Sequence, residues 1–327
     1  MGAGRLGSTC SIFVLVFAAV WAPAEEGRKP PRIGQLYGTN PSIAKPYDEA
    51  FRDGLRGLGY VDGKNIVLLP RYAHGDPRQF PGLLGELIAL NVDVLVVAIT
   101  ALPAAMQATP TIPIVAPAMG DPVSEGLVAS LAHPGGNLTG GAGMAPQVES
   151  KRLQFAMELV PNLARAGLLF EATNPGLLRG VNATRGLASE SGVTLRTYGV
   201  RNLDEIRSAL GQFEKDRLQA LLVWSTPLML LHRESIMESA TSHRMPVIGE
   251  SREFAEAGAL ITYAANYVAM WGHGAVYIDR ILKGVKPGDL PIEQPTKFQL
   301  IVNLKAAKAL RITVPESILL LADEVIR

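Results

Sequence analysis

Cysteine is almost absent: Cys10 is the only one in 327 residues. It lies on the N-terminal side of the apolar run Ile12 to Trp21, whereas a lipoprotein cysteine would follow such a run, so lipidation is excluded. Charge of one sign is also missing. Lys plus Arg number 31 and Asp plus Glu 30, a formal net charge of +1 with no run of like charges, so there is no electrostatic case for nucleic acid or a charged membrane surface. Catalytic motifs are lacking as well. Gly63-Lys64 is followed by Asn65, and Leu58 stands where the first glycine of a phosphate-binding loop should be. Gly141 and Gly143 are followed by Pro146, which breaks a dinucleotide-binding fingerprint, and there is no G-x-S-x-G or H-E-x-x-H. The histidines, His74, His133, His232, His243 and His273, are not spaced as metal pairs. No catalytic residue, metal or cofactor is therefore expected.

The N-terminus reads as a processing segment. Arg5 supplies a basic start, Ile12 to Trp21 is too short to span a bilayer as a mature helix, and Ala22-Pro23-Ala24 is a small-residue cleavage site before Glu25-Glu26-Gly27. Residues 1–24 are expected to be a secretory signal peptide, with a retained anchor as the competing reading. Cleavage after Ala24 would leave no cysteine, hence no disulfide, thiolate nucleophile or Cys-ligated metal. No other stretch is long and apolar enough to cross a membrane, so a periplasmic product is expected.

Beyond Pro30 short β-branched runs alternate with helical stretches. Arg32 to Tyr37, Asn65 to Tyr72, Val92 to Ala98 and Ile112 to Ala118 predict strands. Between and after them, Ser42 to Leu58, Pro81 to Leu90, Ala101 to Ala108 and Val123 to Ala132 predict helices. Val92 to Ala98 is almost wholly apolar, as a buried parallel strand should be. The pattern repeats with helix Lys151 to Val160 and strands Arg165 to Phe170, Val193 to Tyr198, Leu218 to Trp224, Pro246 to Gly249 and Ala259 to Tyr263. Helices are predicted over Leu177 to Ser191, Leu203 to Phe213, Leu228 to Ser242, Arg252 to Glu256 and Tyr267 to Lys283. This implies an α/β fold of two doubly wound lobes, with the glycines of His133 to Gly143 marking a crossing between them.

In open α/β sheets ligands bind beyond the carboxyl ends of the strands, where helix N-termini offer free N–H groups to an anion. Asn40-Pro41, Asp121-Pro122, Asn174-Pro175 and Thr226-Pro227 each follow a predicted strand and pair a capping residue with a proline suited to the first helical position. They serve as helix caps, as ligand contacts, or as both. Tyr37, Thr39 and Thr100 sit at the same rim. Glu250, at the exit of Pro246 to Gly249, suits an ammonium group, or else a surface charge or cap. Met229, Leu230 and Met237 read as core, and Trp224 as core or as the floor of an aromatic pocket.

Several segments together resemble the ABC transporter substrate-binding proteins, a family that includes tryptophan-binding lipoproteins. They are Phe51-Arg52-Asp53-Gly54-Leu55, Gly59 to Asn65, Thr111 to Val115, Gly120-Asp121-Pro122-Val123, His133 to Gly140, Arg252-Glu253-Phe254, Arg280 to Gly284, Pro295 to Phe298 and Asn303 to Leu310. The resemblance covers nearly all of the chain after residue 24. It implies a type I periplasmic-binding fold: two Rossmann-like lobes, three crossovers and a hinge. On that pattern one lobe comprises residues 31–143 plus 264–292 and the other 144–263 plus 293–327. It also implies a partner permease and cytoplasmic ATPase, a monomeric protein, and an amino acid or aromatic carboxylate as ligand. Carried over by position, the cleft residues are Thr39, Thr100, Asp121, Asn174, Thr226 and Glu250. The sequence departs from the pattern over Thr100 to Pro113, at Glu171-Ala172-Thr173 and at Trp224 to Pro227, all near the presumed pocket. An enzyme using cleft carboxylates on the same fold, and a ligand-sensing effector, are the alternatives. No acid–base set favours the first, and no helix-turn-helix or membrane-spanning signalling extension favours the second.

Overall fold

A run such as Val94–Val97 has no polar face to offer water, so it needs helices on both sides. The computed structural model describes residues 29–143, 146–173 and 175–327. The expected signal peptide, Cys10 and Asn174 lie outside the described residues. Five strands, β1 (Arg32–Tyr37), β2 (Val67–Tyr72), β3 (Val94–Val97), β4 (Ile114–Met119) and β5 (Leu138–Ala142), form a parallel sheet in the order β2-β1-β3-β4-β5. Helices α1 (Pro41–Gly57), α2 (Phe80–Ala89) and α3 (Leu102–Ala108) connect its strands.

The second sheet contains β6 (Arg165–Glu171), β7 (Thr194–Val200), β8 (Ala220–Val223), β9 (Val247–Gly249) and β10 (Ile261–Ala265). They are served by α4 (Pro146–Leu159), α5 (Pro175–Glu190), α6 (Leu203–Leu210), α7 (Pro227–Leu231), α8 (Arg233–Ser242) and α9 (Arg252–Glu256). The chain then returns to the first sheet as α10 (Tyr267–Leu282), which packs on α1 and β4. It crosses back as β11 (Phe298–Asn303), continues through α11 (Leu304–Leu310) and α12 (Glu316–Leu321), and ends in β12 (Glu324–Ile326). The second sheet has the order β12-β11-β10-β9-β8-β6-β7, with β11 antiparallel to β10. One apolar cluster on the first sheet gathers α2 and α3, the other gathers α1 and α10. Both faces of the second sheet are likewise covered.

Three local expectations are corrected. Residues 123–132 form turns, not a helix. There the Glu125 carboxylate folds back to accept from Asp121 N (3.2 Å), and Gly126 takes φ +71°, which stops helical propagation. The glycine stretch read as a crossing is instead strand β5 up to Ala142. Gly140 lies at φ +144°, and a Cβ there would strike the Ala116 carbonyl of the neighbouring strand. Glycine thus permits close strand approach rather than ending the sheet. The helix expected over Leu228 to Ser242 breaks at His232 (φ −110°, ψ 16°) into α7 and α8.

Candidate functional site

The strand exits of both sheets converge on a cavity of about 110 Å³. From the first sheet come Tyr37, Gly38 and Thr39 after β1, Ala98 and Ile99 after β3, and Met119 at the end of β4. From the second come Trp224, Ser225 and Thr226 after β8, Glu250 after β9, and Leu177 of α5. Tyr47 of α1, with Tyr267 and Trp271 of α10, closes the remaining side.

The first-sheet wall is a set of rings. Tyr37 stacks on Trp271 (centroids 5.0 Å) and on Tyr72 (5.2 Å), and Tyr47 meets Trp271 edge-on at 6.1 Å. The Tyr37 hydroxyl donates to Asp48 Oδ1 (2.8 Å) and accepts from Gln35 Nε2 (2.9 Å). Arg52 Nε answers the second Asp48 oxygen at 2.7 Å. Burial, reinforced by Asp48, holds the Tyr37 phenol far above its usual pKa, so it stays protonated. Its hydroxyl is committed, and what it offers the cavity is ring surface.

The second-sheet wall carries buried charge. Glu250 receives Arg152 Nη1 on one oxygen and Ser225 N on the other (2.7 Å). Arg152 also reaches Glu149 Oε1 at 2.7 Å, and its side chain is 1% exposed. Burial pushes the Glu149 carboxyl up, the Arg152 guanidinium opposes that shift, and Glu250 adds to it. Ser251 N donates to Ser225 Oγ (3.1 Å), tying the β8 and β9 exits together.

Of the residues singled out from sequence, Tyr37, Thr39, Thr226 and Glu250 line the cavity. Thr100 is buried directly behind Gly38, without lining the cavity; a Cβ on Gly38 would lie 3.1 Å from its Oγ1. Asp121 accepts from Ser124 N (3.1 Å) within the turn that replaces the expected helix, away from the cavity wall. Asn174 is outside the described residues. Asn40 caps α1 by accepting from Ile43 N (3.0 Å). Thr226 stands at the start of α7 with its buried Oγ1 unpartnered among the described residues. Trp224 is both core and wall: it packs edge-on to Phe170 at 5.9 Å and lines the cavity. Sequence reasoning missed Trp271, Tyr47, Tyr267, Glu149 and Arg152. The helical spacing of Glu149 and Arg152 was visible, but their tertiary partner Glu250 was not.

The sheets touch around the cavity. The Tyr47 hydroxyl donates to Glu253 Oε1 (2.9 Å), and Arg179 donates to the Glu125 carbonyl. Ile43 packs into the second sheet's core, and so does Ile99. Gly38 abuts Pro227 so closely that a Cβ would sit 2.5 Å from its Cγ.

A model of the ABC transporter substrate binding protein family matches residues 40–326. The chain belongs to that family. It is 24% identical over 272 residues to a tyrosine-binding protein of Clostridioides difficile strain R20291, covering 83% of this chain and 78% of that protein. It superposes with TM-score 0.84 and 25% identity on an ABC domain in complex with L-Trp from Streptococcus pneumoniae, covering 91% of this chain and all of the other. The score is 0.63, at 24% identity and coverage of 88% and 96%, for a ligand-free, open substrate-binding protein from Clostridium difficile. The two-lobed type I periplasmic-binding architecture thus joins the family assignment. No described helix is long and apolar enough to cross a membrane, and no metal-binding cluster occurs among the described residues.

Proposed function

We propose that this chain is the solute-binding component of an ABC importer and takes an amino acid or aromatic carboxylate into the cavity between its sheets. The observation that carries this reading is the cavity itself, with stacked rings on one wall and buried polar groups on the other. The ring wall suits an aromatic group. The Thr226 hydroxyl, on the cavity wall and unpartnered among the described residues, suits a carboxylate. The relatives named for tyrosine and in complex with L-Trp agree in ligand class.

Capture proceeds by closure of the lobes, residues 31–143 plus 264–292 against 144–263 plus 293–327, about the crossings near 143–146, 265–267 and 293–298. Contacts such as Tyr47 to Glu253 exist only when the lobes meet, so a ligand touching both walls shifts the population toward the closed form. The greater similarity to the L-Trp complex than to the open structure supports a closed arrangement here. Export after removal of residues 1–24, a periplasmic location, a monomeric state, presentation to a permease and its ATPase, and the absence of catalysis complete the proposal.

The test is a thermal-shift screen of the purified protein against amino acids and aromatic carboxylates, with mass spectrometry of each compound afterwards. A ligand that binds the folded state raises Tm with concentration. Shift with the compound unchanged supports a binding protein. Conversion of the compound overturns the non-catalytic reading, and no shift with any compound overturns the ligand class.

A further inference from the structure

A second cavity, of about 520 Å³, adjoins the one of about 110 Å³. It lies among α1, the start of α9, β10, the start of α10 and β11. Tyr47, Glu250 and Tyr267 line both cavities, so these three side chains form the partition between them. Two of the three are fixed. Arg152 and Ser225 N hold the oxygens of Glu250. Tyr267 heads α10 with its ring against Gly143, where a Cβ would lie 2.9 Å from its Cε1. Tyr47 differs: it stands on α1, meets Trp271 edge-on, and is anchored at its far end on α9 through the hydroxyl given to Glu253 Oε1 (2.9 Å). Burial, reinforced by Glu253, holds the Tyr47 phenol well above its usual pKa, so it remains a donor.

Beyond the partition the chemistry changes. Ala264, Val268 and Ile301 supply apolar surface, and Gln299 a side-chain amide. Asn266 Oδ1 caps α10 (3.0 Å from Ala269 N), which leaves its amide N–H groups as donors. Ser251 lines the same cavity, is 6% exposed, and its Oγ has no partner among the described residues. Amides and a hydroxyl on an apolar lining suit a peptide group. The cavity reaches the surface at Asn266 and Ala269, where a terminal charge can stay in water. Accepting the smaller cavity as the ligand site, we propose that Tyr47 limits the ligand to a single compact residue, and that the larger cavity receives a peptide-linked extension once Tyr47 no longer bars the way. Its anchor crosses from α1 to α9, so the partition is completed as the two walls meet. A ligand that projects past Tyr47 keeps the hydroxyl from Glu253 and opposes that meeting, whereas a compact one does not. Long ligands are thus refused by a clash rather than by a lost contact.

The experiment is calorimetric titration of the purified protein with L-Trp, L-Tyr and L-Phe against the dipeptides that add glycine at either end of each. The native protein is expected to bind at least one amino acid about hundredfold or more tighter than its better dipeptide. Tyr47→Ala is expected to shrink that gap to about tenfold or less. Tyr47→Leu keeps an apolar body beside Trp271 but cannot reach Glu253, and is expected to shrink the gap as well. It carries the test where the alanine variant fails to fold. Ala269 lines the larger cavity and not the smaller. Adding Ala269→Trp to either Tyr47 variant is expected to restore a gap of about thirtyfold or more by filling the space the extension needs. Equal binding of amino acid and dipeptide by the native protein overturns the proposal while leaving the binding function intact. So does an unchanged gap in the folded Tyr47 variants. A gap that shrinks but is not restored by Ala269→Trp places the extension elsewhere and overturns the role of the larger cavity. Binding of neither class overturns the reading of the smaller cavity, and the proposal falls with it.

Discussion

On the first-sheet side of the cavity, Tyr37, Trp271 and Tyr47 meet ring to ring, and Asp48 behind them is fully engaged by Tyr37, Gln35 and Arg52. On the second-sheet side, Glu149 and Glu250 share one Arg152, and among the described residues the Thr226 hydroxyl has no partner and Trp224 is the one large ring on the cavity wall. The first wall gains from area, the second from charge placed where water cannot screen it. Under the proposed function, a ligand with a ring at one end and a charged group at the other is bound well only when both walls reach it, so that closure and recognition become the same event.

The comparison breaks most visibly at Arg152. Arg152→Met leaves two buried carboxylates facing each other without their cation, and is expected to cost about 3–5 kcal/mol in urea denaturation near neutral pH. Burial already raises the Glu149 carboxyl above its ordinary value, and the variant removes the Arg152 cation that opposes that shift. The loss is therefore small in acid, where Glu149 carries its proton, and grows as pH rises through its folded value. On the other wall Trp271→Ala removes a ring that is 6% exposed and is expected to cost about 3 kcal/mol through the void it leaves. That cost should stay flat across the carboxylate range, since among the described residues Trp271 meets the rings of Tyr37 and Tyr47 and hydrogen-bonds to no carboxylate. A pH-independent Arg152→Met, or a pH-dependent Trp271→Ala, would erase the distinction between the walls.

Much of the fold was legible in sequence because both sheets, apart from the antiparallel β11, are parallel and buried. Runs such as Val94–Val97 and Ala220–Val223 are then apolar throughout, bounded by caps and prolines. The failures came where one residue changed the local rule. Gly140 and Gly141 look like a linker, yet they lie in β5 because the strands approach too closely for a Cβ. Asp121-Pro122 looks like a helix start, yet Glu125 takes the Asp121 N–H and the chain turns. At the site, residues following strands (Tyr37, Thr39, Thr226, Glu250) were accessible from topology. Trp271 and Arg152 were not: they lie within helices α10 and α4, where sequence periodicity shows a buried face without showing what it is buried against.

Gly38→Ala tests whether recognition needs the walls to meet. The added methyl would lie 2.5 Å from Pro227 Cγ and 2.9 Å from its Cβ, across the junction, while its nearest neighbour within the first lobe is Thr100 Oγ1 at 3.1 Å. It therefore obstructs closure far more than folding. The expected result is an unchanged ligand-free Tm, affinity weaker by about tenfold or more, and a small-angle scattering profile that compacts less on adding ligand. Native affinity in Gly38→Ala would mean that the walls bind independently.

The smallest expected effect belongs to Glu253, which accepts from Tyr47 across the junction but does not line the 110 Å³ cavity. Glu253→Gln keeps a carbonyl acceptor, so the contact survives as a neutral hydrogen bond in place of a charge-assisted one. Removing that difference destabilises the closed form alone, because the bond spans the two lobes. The expected consequence is ligand release about three- to fivefold faster with an unchanged association rate. Stopped-flow fluorescence is suited to reading it, since Trp224 and Trp271 both line the cavity. If association slowed and release did not, Glu253 would be acting on the open form, and the Tyr47 contact would be a passenger of closure rather than a part of what holds it.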